Sequence, residues 1–218
     1  MLKEGQVRIP SGCAIAAIID RKGGKINGSE IIKSIALMHD RSNGLGGGFA
    51  AYGIYPDHAD DYAFHVFYES QQAKSLCEDY LFKHFNVDVS EKIPTKKIES
   101  IANGPDIWRY FAKPNKVRMK EARMDEEEYT VQCVMKVNQN IEGAFIFSSG
   151  KNMGCFKAVG YPEDVGEFYM LDQYDAYLWT AHGRFPTNTP GWWGGSHPFN
   201  ILAVSYTHLR AHETAANL

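Results

Sequence analysis

Short apolar runs alternate with amphipathic segments along most of the chain. Residues 13–20 form an apolar run followed by the turn sequence RKGGK, which predicts a buried strand entering a hairpin. Two further runs, FAAYGIYP and YAFHVFY, carry apolar residues on both faces and predict strands of a sheet that is covered on each side. GAFIFSS and CFKAVG predict another hairpin, and YLWTAHGRF predicts a last strand.

Helical periodicity occurs in three segments between these strands. Ser29 precedes EIIKSIALMH, in which isoleucines recur on one helical face. A second helix is predicted around residues 70–85, followed by a loop rich in Lys, Pro and Gly. A third helix is predicted to start near Asp125, which fits a capping box with Glu128. Its predicted apolar face comprises Val131, Val134 and Met135. Strands grouped in hairpins, with helices between the groups, predict an α+β domain.

Composition limits the classes of function. The 218 residues are 44% hydrophobic, which is enough for one domain with a sizeable core. The net charge of -3 and the lack of a basic block predict neither nucleic acid nor a membrane as a partner. No apolar stretch approaches the ~20 residues needed to span a bilayer, and the first residues are too polar for a secretory signal. We therefore expect a cytoplasmic protein.

The cysteines do not form a paired pattern. Cys13, Cys77, Cys133 and Cys155 lie far apart, and no export signal precedes them, so reduced thiols are expected rather than disulfides. Their spacing is not that of a zinc site, and we predict no metal. All except Cys13 fall within or beside apolar patterns and are interpreted as packing residues.

Cys13 has two interpretations. Free cysteine is among the most buried residue types, so Cys13 at the start of a strand fits a core position. It also fits a nucleophile, provided that some group accepts its proton. No CxxC or CxH motif supplies a local side-chain base. A free α-amino group, with a pKa of about 7.7–8.0, would serve if residues 1–12 were removed and Cys13 became the first residue.

The stretch AHGRFPTNTPGWWGG places an arginine directly after the last predicted strand. Arg184, with Thr187 and Asn188 beside it, is well placed to bind a carboxylate through two hydrogen bonds. A surface arginine in a loop with aromatic packing is the alternative. Trp192 and Trp193 fit either a cover over a substrate or packing within the loop.

These stretches together resemble a known family. Cys13 with the apolar residues after it, LMHDRSNGLGGG and HGRFPTNTPGWWGGSHPF occur in the order seen in class II glutamine amidotransferases, which are N-terminal-nucleophile (Ntn) hydrolases. GAFIFSSGKNMG and GYPEDVGEFY match as well, and the likeness runs from about Ile9 to Leu202. It is greatest to the stand-alone amidotransferase subunit related to glutamate synthase. The resemblance implies an αββα sandwich. We predict no cofactor.

The resemblance also implies roles for individual residues. Cys13, freed by removal of the propeptide Met1–Gly12, would attack the side-chain amide of L-glutamine and release ammonia to a synthase subunit. Arg184 matches the arginine that holds the substrate α-carboxylate. Thr187 and Asn188 match positions that line the glutamine pocket.

One family motif is altered in this sequence. Relatives often carry His-Arg-Gly before a glycine-rich loop, whereas this chain has His39, Asp40 and Arg41. We therefore give Arg41 a supporting role, and His39 fits a helix C-terminal cap equally well. His182 lies within a predicted strand and is interpreted as a buried core imidazole.

The last part of the chain departs from the family. The Asn-Gly pair that forms the family's oxyanion hole does not follow HPFNIL, and neither does the acidic residue that binds the substrate amino group. Residues 204–214 instead match a translated frame of a common transposase-type sequencing adapter. We therefore expect residues 13–203 to be a partial amidotransferase domain and residues 204–218 a non-native tail, with a natural reading frame that continues past Leu202. The sandwich is expected to be incomplete at the C-terminus and this chain to be nearly inactive.

Two other functions remain open. One is an Ntn amidase acting on a different amide, although Arg184 argues for an amino-acid carboxylate. The other is a catalytically idle regulatory or scaffold subunit that keeps the fold.

Overall fold

The computed structural model describes residues 12–186, 190–201 and 204–206, with only the backbone of Ile201 and of residues 204–206. The α-helices are α1 (Gly28–Ala36), α2 (Gln71–His84), α3 (Lys116–Ala122), α4 (Glu126–Asn140) and α5 (Pro162–Phe168). The strands are β1 (Ala14–Ile19), β2 (Ile26–Asn27), β3 (Gly47–Tyr52), β4 (Tyr62–Tyr68), β5 (Phe85–Lys92), β6 (Asp106–Pro114), β7 (Ala144–Ser148), β8 (Met153–Ala158), β9 (Asp175–Ala176), β10 (Leu178–Gly183), β11 (Phe199–Ile201) and β12 (Val204–Tyr206). None of the described helices has the length and apolar character needed to cross a membrane.

One antiparallel sheet, which we call the N-terminal sheet, has the strand order β1-β10-β3-β8. Helices α1 and α5 pack on one of its faces. Phe49 of β3 points toward α5, where a methyl group on Gly166 would lie 3.2 Å from its ring. Ile31, Ile35 and Val165 are fully buried at this face, so burial of apolar area holds the helices in place.

The opposite face of the N-terminal sheet is open at β1. Side chains along β1 alternate between buried or half-buried and exposed positions. Ile15 and Ile19 point outward and are 38% and 57% exposed. The described part of the chain therefore covers only one face of this end of the sheet.

A second four-stranded sheet belongs to an inserted unit, residues 62–148. The unit lies between β3 and β8, which are paired neighbours in the N-terminal sheet. Its strands run in the order β5-β6-β4-β7, and all neighbours are antiparallel. With helices after β4 and before β7, this is the split βαβ arrangement. Helices α2 and α4 cover one face, and their core includes Phe64, Tyr68, Cys77, Leu81, Tyr110, Cys133 and Val137.

The other face of the inserted unit meets the edge of the N-terminal sheet at β8. The Cys155 N–H donates to Ser148 Oγ at 3.1 Å, and His65 Nδ1 lies 2.7 Å from the Cys155 carbonyl oxygen. Burial and the nearby Arg109 charge lower the pKa of His65 to about 3, so the ring is neutral and Nδ1 donates this bond. Because an unpaired strand edge leaves N–H and C=O groups unsatisfied, these bonds stabilise the edge.

The structure confirms the α+β class and most predicted elements. The apolar runs are strands β1, β3, β4, β7, β8 and β10. The two long helices start where expected, with Ser70 accepting from the Ala73 N–H and Asp125 from the Glu128 N–H. All four cysteines are thiols, and Cys77, Cys133 and Cys155 are buried packing residues as predicted.

The predicted pairings and some local details were wrong. The turn after β1 leads to β2, which pairs with β9, and β7 and β8 lie in different sheets. The segment predicted as a loop after α2 contains β5 and β6. On α4, Val134 is buried as predicted, together with Tyr129, Cys133 and Val137. Met135, predicted on the same face, is instead 42% exposed. Local periodicity indicates a strand but does not say which strand it will pair with.

Candidate functional site

Cys13 lies at the N-terminal end of β1, beside the C-terminal end of β10. Ala14 is paired with Gly183, so the antiparallel register brings Cys13 next to the residues that follow β10. Cys13 is half-buried, and its Sγ accepts a hydrogen bond from the Phe185 N–H at 3.4 Å. The sulfur therefore sits where the two chain segments meet.

Opposing effects act on the Cys13 thiol. Burial raises its pKa, and this effect is the largest. The Phe185 N–H and the positive charges of Arg184 and Arg41 favour the thiolate and lower the pKa, but not enough to reverse the shift. The thiol is thus protonated at neutral pH, and nucleophilic chemistry at this sulfur requires a base.

Arg184 is fixed at its backbone by the glycine-rich segment after α1. Its N–H donates to the Gly46 carbonyl oxygen at 2.8 Å, and its carbonyl oxygen accepts from Ser42 Oγ at 3.2 Å. The residue is only 9% exposed, and Nη1 donates to the Pro190 carbonyl oxygen at 3.5 Å. Burial lowers the pKa of Arg184, while the Cys13 sulfur acts in the opposite direction.

Gly46 is required by close packing at this point. Its φ is +149°, a conformation that favours glycine. A methyl group on Gly46 would lie 2.8 Å from Ser196 Oγ and 3.2 Å from Arg184 Cδ. The glycine-rich motif therefore allows the arginine and the segment after it to approach β3.

Arg41 reaches the same place from a 3-10 turn, His39–Arg41. A methyl group on Gly12 would lie 3.3 Å from Arg41 Nη2, so the guanidinium group is against the residue that precedes the cysteine. Gly12 has a φ of +132°, which other residues rarely adopt.

The structure thus brings Cys13, Arg41 and Arg184 together, although they lie far apart in the sequence. Thr187 and Asn188 lie outside the described residues, so their predicted roles are neither supported nor opposed. The same holds for most of the predicted propeptide, residues 1–11, and for residues 207–218 of the predicted tail. Residues 204–206 form β12, which pairs with β11.

The histidines near the site have structural partners. His182 is fully buried, as predicted, and its Nε2 lies 3.2 Å from Nδ1 of His197, which the sequence analysis missed. His39 lies beyond the C-cap of α1, Leu37, forms a hydrogen bond with Glu163 and stacks on Tyr161 with ring centroids 4.1 Å apart. It is therefore not the cap of α1.

Trp192 and Trp193 contact the inserted unit. Trp192 is 54% exposed and lies 5.8 Å from Phe145 between ring centroids, while Trp193 packs edge-on against Phe67 at 5.6 Å. Together they help to line a cleft of about 1050 Å³ between the inserted unit and the segment after Arg184. Neither Cys13 nor Arg184 lines this cleft, so it is separate from the candidate site.

Comparison with known proteins identifies one related sequence. No family model matches the chain. The chain is 47% identical over 199 residues to an uncharacterized protein of Archaeoglobus fulgidus, a match that covers 90% of this chain and 52% of that protein. The chain therefore spans about half the length of the curated relative that it matches. So broad a match necessarily includes most of the inserted unit.

Proposed function

We propose that this chain is the N-terminal part of a class II glutamine amidotransferase, which releases ammonia from L-glutamine for a synthase subunit. The observation that carries the proposal is the convergence of three separate motifs on one sulfur atom. Cys13, Arg41 and Arg184 come from stretches that are far apart in the sequence. Both guanidinium groups act on the Cys13 thiol.

The chemistry of the site suits an amide with a carboxylate at its other end. After removal of residues 1–12, the Cys13 amino group would accept the thiol proton, because its ordinary pKa lies near neutral pH. The thiolate would attack the glutamine side-chain carbonyl carbon, ammonia would leave, and water would hydrolyse the thioester to glutamate. Arg184 would hold the substrate α-carboxylate, since a guanidinium group binds carboxylates through paired hydrogen bonds.

The fold supports the proposal at a coarse level. The N-terminal sheet with α1 and α5 on one face would form one sheet and one helix layer of the αββα sandwich expected of Ntn hydrolases. The open face at Ile15 and Ile19 is where the second sheet of that sandwich would stack. The inserted unit would be an addition to it, because it covers the edge at β8 instead. A cytoplasmic location is part of this proposal.

Covalent labelling tests the proposal. Because the Asn-Gly pair expected of the oxyanion hole does not follow HPFNIL in this sequence, the test uses the protein encoded at the source locus, made with residues 1–12 intact and with Cys13 directly after the initiator Met. The reagent is 6-diazo-5-oxo-L-norleucine, a reactive glutamine analogue. We expect one label on Cys13, only in the form that begins with Cys13, and protection by L-glutamine.

Matched variants make the result specific. Cys13→Ala is expected to abolish labelling and glutaminase turnover, whereas Cys77→Ala, in the core of the inserted unit, leaves both intact. Labelling that L-glutamine does not prevent would favour an amidase for another substrate. A correctly folded protein that starts at Cys13 and takes no label would refute the proposal and favour an idle scaffold subunit.

A further inference from the structure

Lys157 is a fully buried lysine that the proposed chemistry does not use. It lies in β8, and its Nζ donates to the Gly194 carbonyl oxygen at 2.8 Å. Aromatic rings surround the amine, with Nζ 4.5 Å from the centroid of Phe199, 5.5 Å from Phe145 and 5.8 Å from Phe147. Lysine is almost never fully buried without a specific partner, so the contact with Gly194 needs an explanation.

The segment that Lys157 holds, Pro190–Ser196, also contacts Arg184. At one end of the segment the Pro190 carbonyl oxygen accepts from Arg184 Nη1 at 3.5 Å. At the other end Ser196 Oγ donates at 2.9 Å to the carbonyl oxygen of Ala158, the residue after Lys157. Two neighbouring residues of β8 therefore hold the segment on which the guanidinium group rests.

The same lysine joins this segment to the inserted unit. Phe145 and Phe147 belong to β7, the last strand of that unit, and both rings lie beside the Lys157 amine. Phe145 also packs against Trp192 of the held segment. Lys157 thus lies at a junction of β8, β7 and the segment after Arg184.

We infer that Lys157 is a positioning residue for recognition of the substrate α-carboxylate. By holding the Gly194 carbonyl group, it fixes Pro190–Ser196, and this segment sets the position of the Arg184 guanidinium group. The inference rests on the proposed function. Lys157 touches no reacting atom in this scheme, so it affects how tightly the carboxylate is held and not the reactivity of Cys13.

Saturation kinetics of Cys13 labelling by 6-diazo-5-oxo-L-norleucine test the inference on the protein from the source locus. In Lys157→Met, which keeps the length and the apolar stem, we expect the half-saturating concentration to rise about three- to tenfold, the effect of one lost hydrogen bond. The limiting rate should not change, because only binding is weakened. The rate with iodoacetamide, which has no α-carboxylate, should not change either.

Two further variants control the measurement. Lys151→Met removes a partly exposed lysine from the turn between β7 and β8, where it pairs with Glu126, and should behave as wild type. Ser196→Ala removes the second tie of the segment to β8 and should raise the half-saturating concentration as Lys157→Met does. If Lys157→Met does not fold, the kinetics of Ser196→Ala test the inference instead.

The outcomes separate the two proposals. Wild-type labelling with an unchanged half-saturating concentration in both Lys157→Met and Ser196→Ala overturns the positioning role and leaves the proposed function standing. If the analogue does not label the wild type, the proposed function fails. Hydrogen exchange of residues 191–199 then tests whether Lys157 fixes the segment Pro190–Ser196. Faster exchange in Lys157→Met supports this role, and unchanged exchange refutes it.

Discussion

An inner strand of the inserted unit, β4, and an edge strand of the N-terminal sheet, β1, differ in how completely they are packed. Every residue of β4, the second inner strand of the inserted unit, is buried, because helices cover one face and the N-terminal sheet meets the other. In β1 of the N-terminal sheet only Ala14 is buried, and Ile15 and Ile19 are exposed. The candidate site nevertheless lies at the N-terminal end of β1, in the N-terminal sheet. What differs is the cover: β4 is an inner strand with both faces covered, whereas β1 is an edge strand with one open face.

The largest effect is expected from truncating one side chain in each region. Phe64→Ala removes a fully buried ring from the core of the inserted unit and should lower the free energy of unfolding by about 3–5 kcal/mol. Ile19→Ala, at a position 57% exposed, should change it by less than about 0.5 kcal/mol. Urea denaturation of both variants measures the difference.

The variant Ile19→Ala also tests the proposal that a second sheet stacks on β1. The proposed function expects a further sheet over β1 in the protein encoded at the source locus; that sheet would bury Ile19, and Ile19→Ala should then cost about 2–5 kcal/mol there. An equally small cost in both proteins would mean that the face stays open.

A medium effect is expected at the helix N-caps of the two regions. Asp125→Ala removes one cap bond from α4 and should cost about 1 kcal/mol. Asn27→Ala should cost about 2 kcal/mol, because its side chain caps α1 and also donates to the Asp172 and Tyr174 carbonyl oxygens. Equal costs, measured by thermal unfolding, would contradict the role of Asn27 in joining α1 to the segment before β9.

The smallest effect concerns the charges around Cys13. Arg184 and Arg41 both favour the thiolate, so Arg184→Met and Arg41→Met should raise the pKa of Cys13 further and slow its alkylation by iodoacetamide at pH 8. The rise should be greater for Arg184→Met, since Arg184 has the larger influence on this thiol. The pH dependence of the alkylation rate gives the pKa directly.

The control for this prediction is a cation in the other region. Arg118 is an exposed arginine on α3 that pairs with Glu121. Arg118→Met should leave the pKa of Cys13 unchanged, and a shift as large as that for Arg184→Met would show that the effect is not local.

The sequence by itself determined most helices and strands, because apolar periodicity and caps such as Ser70 and Asp125 act within a few residues. It also determined which residues could carry chemistry: Cys13, Arg41 and Arg184 are recognisable from their types and motifs.

Only the tertiary structure decided how these parts are arranged. That β7 and β8 separate into two sheets, and that residues 62–148 form a unit inserted between two paired strands, depends on contacts between distant segments. Lys157 could not be recognised in the sequence, since a lysine in an apolar run gives no sign of the Gly194 carbonyl group that it meets in the fold. Local patterns fix local conformation, whereas pairing and burial depend on which distant surfaces meet.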